Sequence, residues 1–206
     1  MYWAQVFSPR KIVGLNITVS QVEVARRRVR EKNLQERIEL REGSATRMPF
    51  SAATFDKVTA LETAFHYNTR EDFFREAFRT LKRGGRLAMT DIVPKTGPSR
   101  ASFGWRVAEY FGRSFWQIPK VNMYDSAVYE SKLRGVGFVN VAIRSIGEEV
   151  IDPFVHYARR RLDEPEVIER MNPLLRLCWK ASVRDRAPWK NFDYIIVTAD
   201  KPRDSR

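Results

Sequence analysis

This sequence predicts an α/β fold with a largely parallel sheet, and three observations carry that prediction. Short β-branched runs alternate with amphipathic stretches, in the order strand, helix, strand, strand, helix, strand, across residues 11–93. That alternation is the pattern of a sheet covered by helices. Glycine-bearing turns punctuate the runs at Gly43 and at Gly84-Gly85. Polar side chains follow the strands directly, at the sheet edge where open α/β folds place their ligands.

Taken in order, residues 2–8 read as the last turns of a helix. KIVGLNI, after Pro9, reads as a buried strand. Ser20 and Glu23 fit a capping box for a helix whose apolar face is Val22, Ala25 and Val29, ending near Asn33. RIELREG, residues 37–43, alternates like a strand. Lys57–Phe65 is the next strand, and Thr69 caps a helix carrying Phe74, Ala77, Phe78 and Leu81 on one face. Gly84 and Gly85 suit the stop of that helix, and Arg86–Val93 is a further strand. Beyond it comes an aromatic-rich stretch with Phe103, Trp105, Tyr110, Phe111, Phe115 and Trp116, then a helix capped by Asp125 and closed at Gly135–Gly137. Val139–Ile146 reads as a strand, Pro153–Trp179 as one or two helices interrupted near Pro165 and Pro173, and Phe192–Ala199 as a final strand. No linker composition appears, so residues 1–206 are expected to form a single domain with a lid-like insertion at about 95–124.

Composition excludes several classes. No apolar run approaches the ~20 residues that span a bilayer, and the first residues lack the pattern of a secretory signal. Cys178 is the only cysteine, which rules out an intramolecular disulfide framework and a cysteine-based metal cluster. A cytoplasmic location is the expectation, with no metal. The net charge of +12 gathers partly in Arg26, Arg27, Arg28 and Arg30 and in Arg159, Arg160 and Arg161. Attraction to nucleic acid or an anionic partner is one reading of it. A solvated helix face is the other, favoured because no aromatic residues stand among the arginines to stack bases. Nucleic acid is therefore not expected as a partner.

The richest segment is residues 43–93, where GSATRMPFSAATFDKVTALETAFHY and FREAFRTLKRGGRLAMTDIV make a strand–helix–strand unit with polar groups at both strand ends. Together with IVGLNITVSQVEVAR and, more loosely, DYIIVTADKP, it resembles the class I S-adenosylmethionine-dependent methyltransferases. Within them it is most similar to the small-molecule branch of sugar O-methyltransferases and tocopherol-type methyltransferases. The resemblance covers most of residues 8–95. It implies a Rossmann-like sheet, mostly parallel with an antiparallel C-terminal strand, S-adenosyl-L-methionine as cofactor and a small-molecule acceptor.

Residue by residue, the resemblance puts Asn16 where family members usually hold the ribose with an acid, with Thr18 and Gln21 placed to help. The carboxamide of Asn16 can accept and also donate; forming the turn is its alternative role. Ser44 stands where the family has an acid facing adenine, which leaves more of that contact to the backbone of Ala45. Met48 and Phe50 can cover the adenine face or belong to the core. Glu62 falls near the methionine part of the cofactor, or is an exposed acid beside a turn.

His66 follows one strand and Asp91 lies near the end of the next. A hydroxyl acceptor must lose its proton during methyl transfer, and an imidazole within reach can take it. A carboxylate beside the imidazole would fix its tautomer. The resemblance assigns the same roles, His66 as base and Asp91 as its partner. A strand-end histidine bonded to backbone is the alternative for His66, whereas Asp91 interrupts the apolar run LAMTDIV and needs a buried partner. His156, the other histidine, sits on a basic helix and reads as a surface or packing residue.

One family feature is missing from these residues. The first strand and its D-x-G-x-G loop are expected before Pro9, and no glycine lies between Met1 and Arg10. A gene model or fragment starting at an internal methionine, a degenerate gene, and a pseudoenzyme that pairs its open sheet with a partner would each account for this. The first is favoured because His66 and Asp91 persist. A non-catalytic methyltransferase-like binding protein with a basic surface stands as the alternative function.

Overall fold

The computed structural model describes residues 2–95, 117–184 and 191–203. The chain divides into two compact units, Met1–Ser51 and Ala52–Arg206.

The first unit contains α1 (Tyr2–Val6), β1 (Ile12–Asn16), α2 (Val19–Glu31) and β2 (Ile38–Glu42). β1 and β2 run parallel, Ile12 opposite Ile38 and Asn16 opposite Glu42. Ala4, Val29 and Ile38 form its core, with Ile12, Leu34 and Leu40 packed against them. The cap of α2 differs from expectation: Ser20 lies inside the first turn and Thr18 is the capping position, without a side-chain cap bond. The cause is Asn16, whose side-chain oxygen accepts the Thr18 N–H at 2.8 Å and turns the chain before Ser20 is reached.

The second unit contains β3 (Phe55–Leu61), α3 (Arg70–Thr80), β4 (Leu81–Pro94), α4 (Ser126–Val136), β5 (Val139–Ser145), α5 (Gly147–Arg161), α6 (Pro165–Arg170), α7 (Pro173–Arg184) and β6 (Phe192–Asp200). Its sheet has the order β3-β4-β6-β5. β3 and β4 are parallel, and β6 runs antiparallel to both β4 and β5. The fold is thus α/β with a mixed sheet and an antiparallel last strand.

Three boundaries depart from the sequence reading. β3 stops at Leu61, because Glu62 adopts the left-handed region at φ 51° and Ala64–His66 then winds into one 3-10 turn. α3 stops at Thr80 and Leu81 already opens β4; Gly84, at φ 73°, instead serves an irregularity within the strand, where the register jumps from Phe55↔Leu81 to Lys57↔Arg86. α5 begins at Gly147 and carries Pro153 inside it, while Pro165 and Pro173 each start a new helix, a position that costs proline no hydrogen bond. Of the expected insertion at 95–124, residues 96–116, with the six aromatics named above, lie outside the described residues.

The core of the second unit forms where alternate residues of β4 meet α3 and α4. Leu87, Met89, Asp91 and Val93 are all buried, the period of two that a one-faced strand requires. Phe73, Phe74 and Ala77 of α3 and Tyr129 and Leu133 of α4 are buried too, with the Phe74 and Tyr129 ring centroids 5.1 Å apart. α4 closes at Gly137, φ 113°, where a β-carbon would come within 3.0 Å of the Phe78 ring, so both conformation and space demand glycine. A second cluster, Val155, Ala158, Leu162 and Val183, joins α5 to α7. No helix among the described residues is long and apolar enough to cross a membrane.

Candidate functional site

In the first unit, the polar residues at the carboxyl ends of β1 and β2 share one edge. Asn16 Nδ2 donates to Gln21 Oε1 at 2.8 Å while its Oδ1 holds Thr18, which brings Asn16, Thr18 and Gln21 together. Both carboxamide residues are exposed. The Gly43 N–H donates to the Asn16 carbonyl at 3.0 Å and ties the next turn to the same edge. There Ser44 Oγ lies 2.8 Å from Thr46 Oγ1 and accepts the Thr46 N–H, leaving Ala45 half-buried between them. The Arg41 guanidinium lies 5.3 Å from the centroid of the Phe50 ring and occupies one of its faces.

The second unit presents polar groups on both faces of β4. On one, the Glu62 N–H reaches Thr90 Oγ1 at 3.2 Å, and the Tyr194 hydroxyl donates to Glu62 Oε1 and lies 3.3 Å from Thr90 Oγ1. Burial, reinforced by the bond to Glu62, holds the Tyr194 phenol up at about 12. Glu62 remains exposed, at the end of β3.

On the other face lies Asp91, fully buried. Its carboxylate accepts from Arg70 Nε at 2.9 Å, from Arg70 Nη2 at 3.4 Å, from the Tyr129 hydroxyl at 3.0 Å and from the Ile92 N–H at 2.9 Å. Burial pushes the Asp91 carboxyl up, and the Arg70 charge with these hydrogen bonds opposes it. Burial and the neighbouring carboxylate likewise drive the Tyr129 phenol well above its usual range, so it is a hydrogen-bond donor at neutral pH. Arg70 is as fully buried, and its guanidinium also donates to the carbonyls of Ile92, at 2.7 Å, and of Asn122.

His66 is different. It sits on the 3-10 turn beyond β3, exposed, with its ring centroid 4.1 Å from that of buried Phe65. The expected His66–Asp91 pair does not form: no hydrogen bond joins them among the described residues, because Arg70 and Tyr129 take up the carboxylate. His156 is exposed on α5.

Arg70, Asn122, Tyr129 and Tyr194 were not singled out from sequence. Arg70 had a signal, since 70, 73, 74 and 77 are helix positions i, i+3, i+4 and i+7 and Arg70 completes an apolar stripe. A charge on that stripe and an acid in LAMTDIV each require a buried partner, and they are each other's.

Comparison with known proteins agrees with this layout. The model of a methyltransferase domain family matches residues 1–89. Erythromycin 3''-O-methyltransferase of Saccharopolyspora erythraea is 35% identical over 212 residues, covering 98% of this chain and 68% of that protein. The chain belongs to the class I S-adenosylmethionine-dependent methyltransferases that act on small molecules. Its fold is shared with a putative sarcosine dimethylglycine methyltransferase from Galdieria sulphuraria, at TM-score 0.80 and 16% identity, covering 98% of this chain and 73% of that one. It is shared also with phosphoethanolamine N-methyltransferase 2 of Haemonchus contortus in complex with S-adenosyl-L-methionine, at TM-score 0.78 and 18% identity, covering 97% and 45%.

The cofactor of this methyltransferase is S-adenosyl-L-methionine, and the edge of its first unit suits part of that molecule. The Gln21 amide nitrogen makes no hydrogen bond among the described residues, and Asn16 Oδ1 keeps an acceptor site. An exposed donor beside an exposed acceptor fits a vicinal diol. No group of three or more His, Cys, Asp or Glu side chains among the described residues is placed to hold a metal ion.

Proposed function

We propose that this methyltransferase transfers its methyl group to a hydroxyl of a glycosylated macrolide-like natural product, with His66 as general base. The observation that carries the acceptor class is the 35% identity, running over 98% of the chain, to a relative named for an O-methylation of erythromycin. The exposed imidazole of His66 at the sheet's carboxyl edge supports the base.

When bound, the cofactor supplies a methyl group on a sulfonium that an oxygen can displace directly. In this reading Asn16, Thr18 and Gln21 hold the ribose, Ser44 and the backbone of Ala45 meet the adenine, and Glu62 takes the methionine portion. His66 accepts the hydroxyl proton as the oxygen forms its bond to carbon, so the proton ends on the imidazole. A positioned base of this kind contributes about 10²–10⁴-fold. Asp91 serves the site from a distance by anchoring Arg70.

The test uses the full chain with methyl-labelled S-adenosylmethionine and two probes, a macrolide glycoside bearing free sugar hydroxyls and a primary amine of similar size. Label recovered as a methyl ether is the expected result. Label on nitrogen, or no transfer to the glycoside while S-adenosylhomocysteine still binds, would overturn the acceptor assignment.

A further inference from the structure

Asn122 lies on a 3-10 turn (Lys120–Asn122) and is fully buried, and the partners its side chain bonds all lie 52 or more residues away in sequence. Its Nδ2 donates to the carbonyl of Phe65 at 3.2 Å and to that of Tyr67 at 2.6 Å, the residues immediately before and after His66. Its Oδ1 accepts the Arg70 N–H at 3.2 Å, and its own carbonyl accepts from the Arg70 guanidinium. Both donors and the acceptor of the carboxamide are thus spent on the segment that carries the imidazole. The guanidinium beneath it is fixed in turn by Asp91 and the Ile92 carbonyl.

We infer that Asn122 and Arg70 are positioning residues for His66, clamping the backbone on both sides of it; the inference rests on the reading of His66 as base. Stability alone does not call for this arrangement. A buried ion pair gives a fold little that apolar residues of the same volume would not. A carboxamide that bridges two carbonyls flanking one residue, however, fixes where that residue's side chain starts. The exposed His66 ring has no side-chain hydrogen bond of its own among the described residues, so its direction comes from the clamped backbone and from the Phe65 ring. A displacement of about 1 Å in a reacting group can cost ~10²-fold in rate. Asp91 therefore acts on the imidazole through two intervening residues, Arg70 and Asn122, and not as its direct partner.

The experiment compares Asn122→Ala and Arg70→Lys in a His156→Gln background, where the only imidazole resonances are those of His66. The expected result is cooperative urea unfolding, His66 ring signals shifted and broadened, and an S-adenosylhomocysteine dissociation constant within about twofold of the parent. The rate constant kcat for the macrolide glycoside should fall by roughly 10-fold or more, with KM moving less. His66 signals unchanged in either folded variant would overturn the clamp. Signals that move with kcat unchanged would uphold the clamp and overturn His66 as base. Should neither variant fold, hydrogen exchange on the unaltered protein decides the matter. The clamp requires the Asn122 carboxamide protons, donated to the Phe65 and Tyr67 carbonyls, and the Arg70 amide that Asn122 Oδ1 accepts to exchange slowly, and fast exchange of either would contradict it.

Discussion

The polar residues at the end of β1 and those at the end of β4 satisfy their hydrogen bonds by opposite means. Asn16 bonds Thr18 and Gln21, two and five residues away, and all of these bonds face solvent. Asp91 reaches back 21 residues to Arg70 and forward 38 to Tyr129, inside the core. The first set can exchange its partners for a ligand at small cost, because water already competes for them. The second cannot, since an unpaired buried charge costs several kcal/mol. In the function proposed above, ligand contact falls to the first kind of strand end and support to the second. His66 combines the two, an exposed ring on a backbone held from the buried side.

Substitutions sharpen that contrast. Arg70→Met leaves Asp91 unpaired and should cost about 3–5 kcal/mol of stability in urea unfolding. The double variant Arg70→Met/Asp91→Leu should recover most of that loss, and a double variant no more stable than the single one would show that the pair does more than neutralise itself. Thr69→Ala removes half of the capping box with Asp72 and should cost about 1 kcal/mol by the same measurement. Asn16→Ala should change stability by less than about 0.5 kcal/mol, as exposed substitutions do, while weakening S-adenosylhomocysteine binding in calorimetry. If Asn16→Ala is instead as destabilising as Arg70→Met, the contrast between the two strand ends fails.

The smallest effect is a pH dependence. The Tyr194 phenol is held up at about 12 in the folded protein, above the usual value near 10. Its contribution to stability is therefore fully present below pH ~10 and is lost as pH rises through about 12. Tyr194→Phe should remove that segment of the alkaline stability profile, and the difference in phenolate absorbance between parent and variant should titrate near 12.

Much of this was legible in the sequence because it is local. The strand at 86–93, the Thr69 cap, the Gly137 stop and the cluster of Asn16, Thr18 and Gln21 all depend on residues within a few positions of one another. The end of β3 was misjudged because Glu62 enters the left-handed region, which its residue type does not announce. Asp91 was rightly read as a buried acid in need of a partner, but the partner was misassigned. His66 was the candidate the strand ends and the family resemblance supplied, whereas Arg70 was the one on the helix face that packs on the strand. Asn122 had no sequence signal at all, since its role comes from a turn in a stretch without periodicity.

The central claim is that His66 is the reacting group and that its ring does not itself hold the cofactor. It is tested most directly by His66→Ala, with kcat for the macrolide glycoside and the S-adenosylhomocysteine dissociation constant measured on the same preparation. The account predicts that kcat falls by about 100-fold or more while the dissociation constant stays within twofold. A variant that keeps its kcat, or one that loses cofactor affinity in the same proportion as rate, would contradict it.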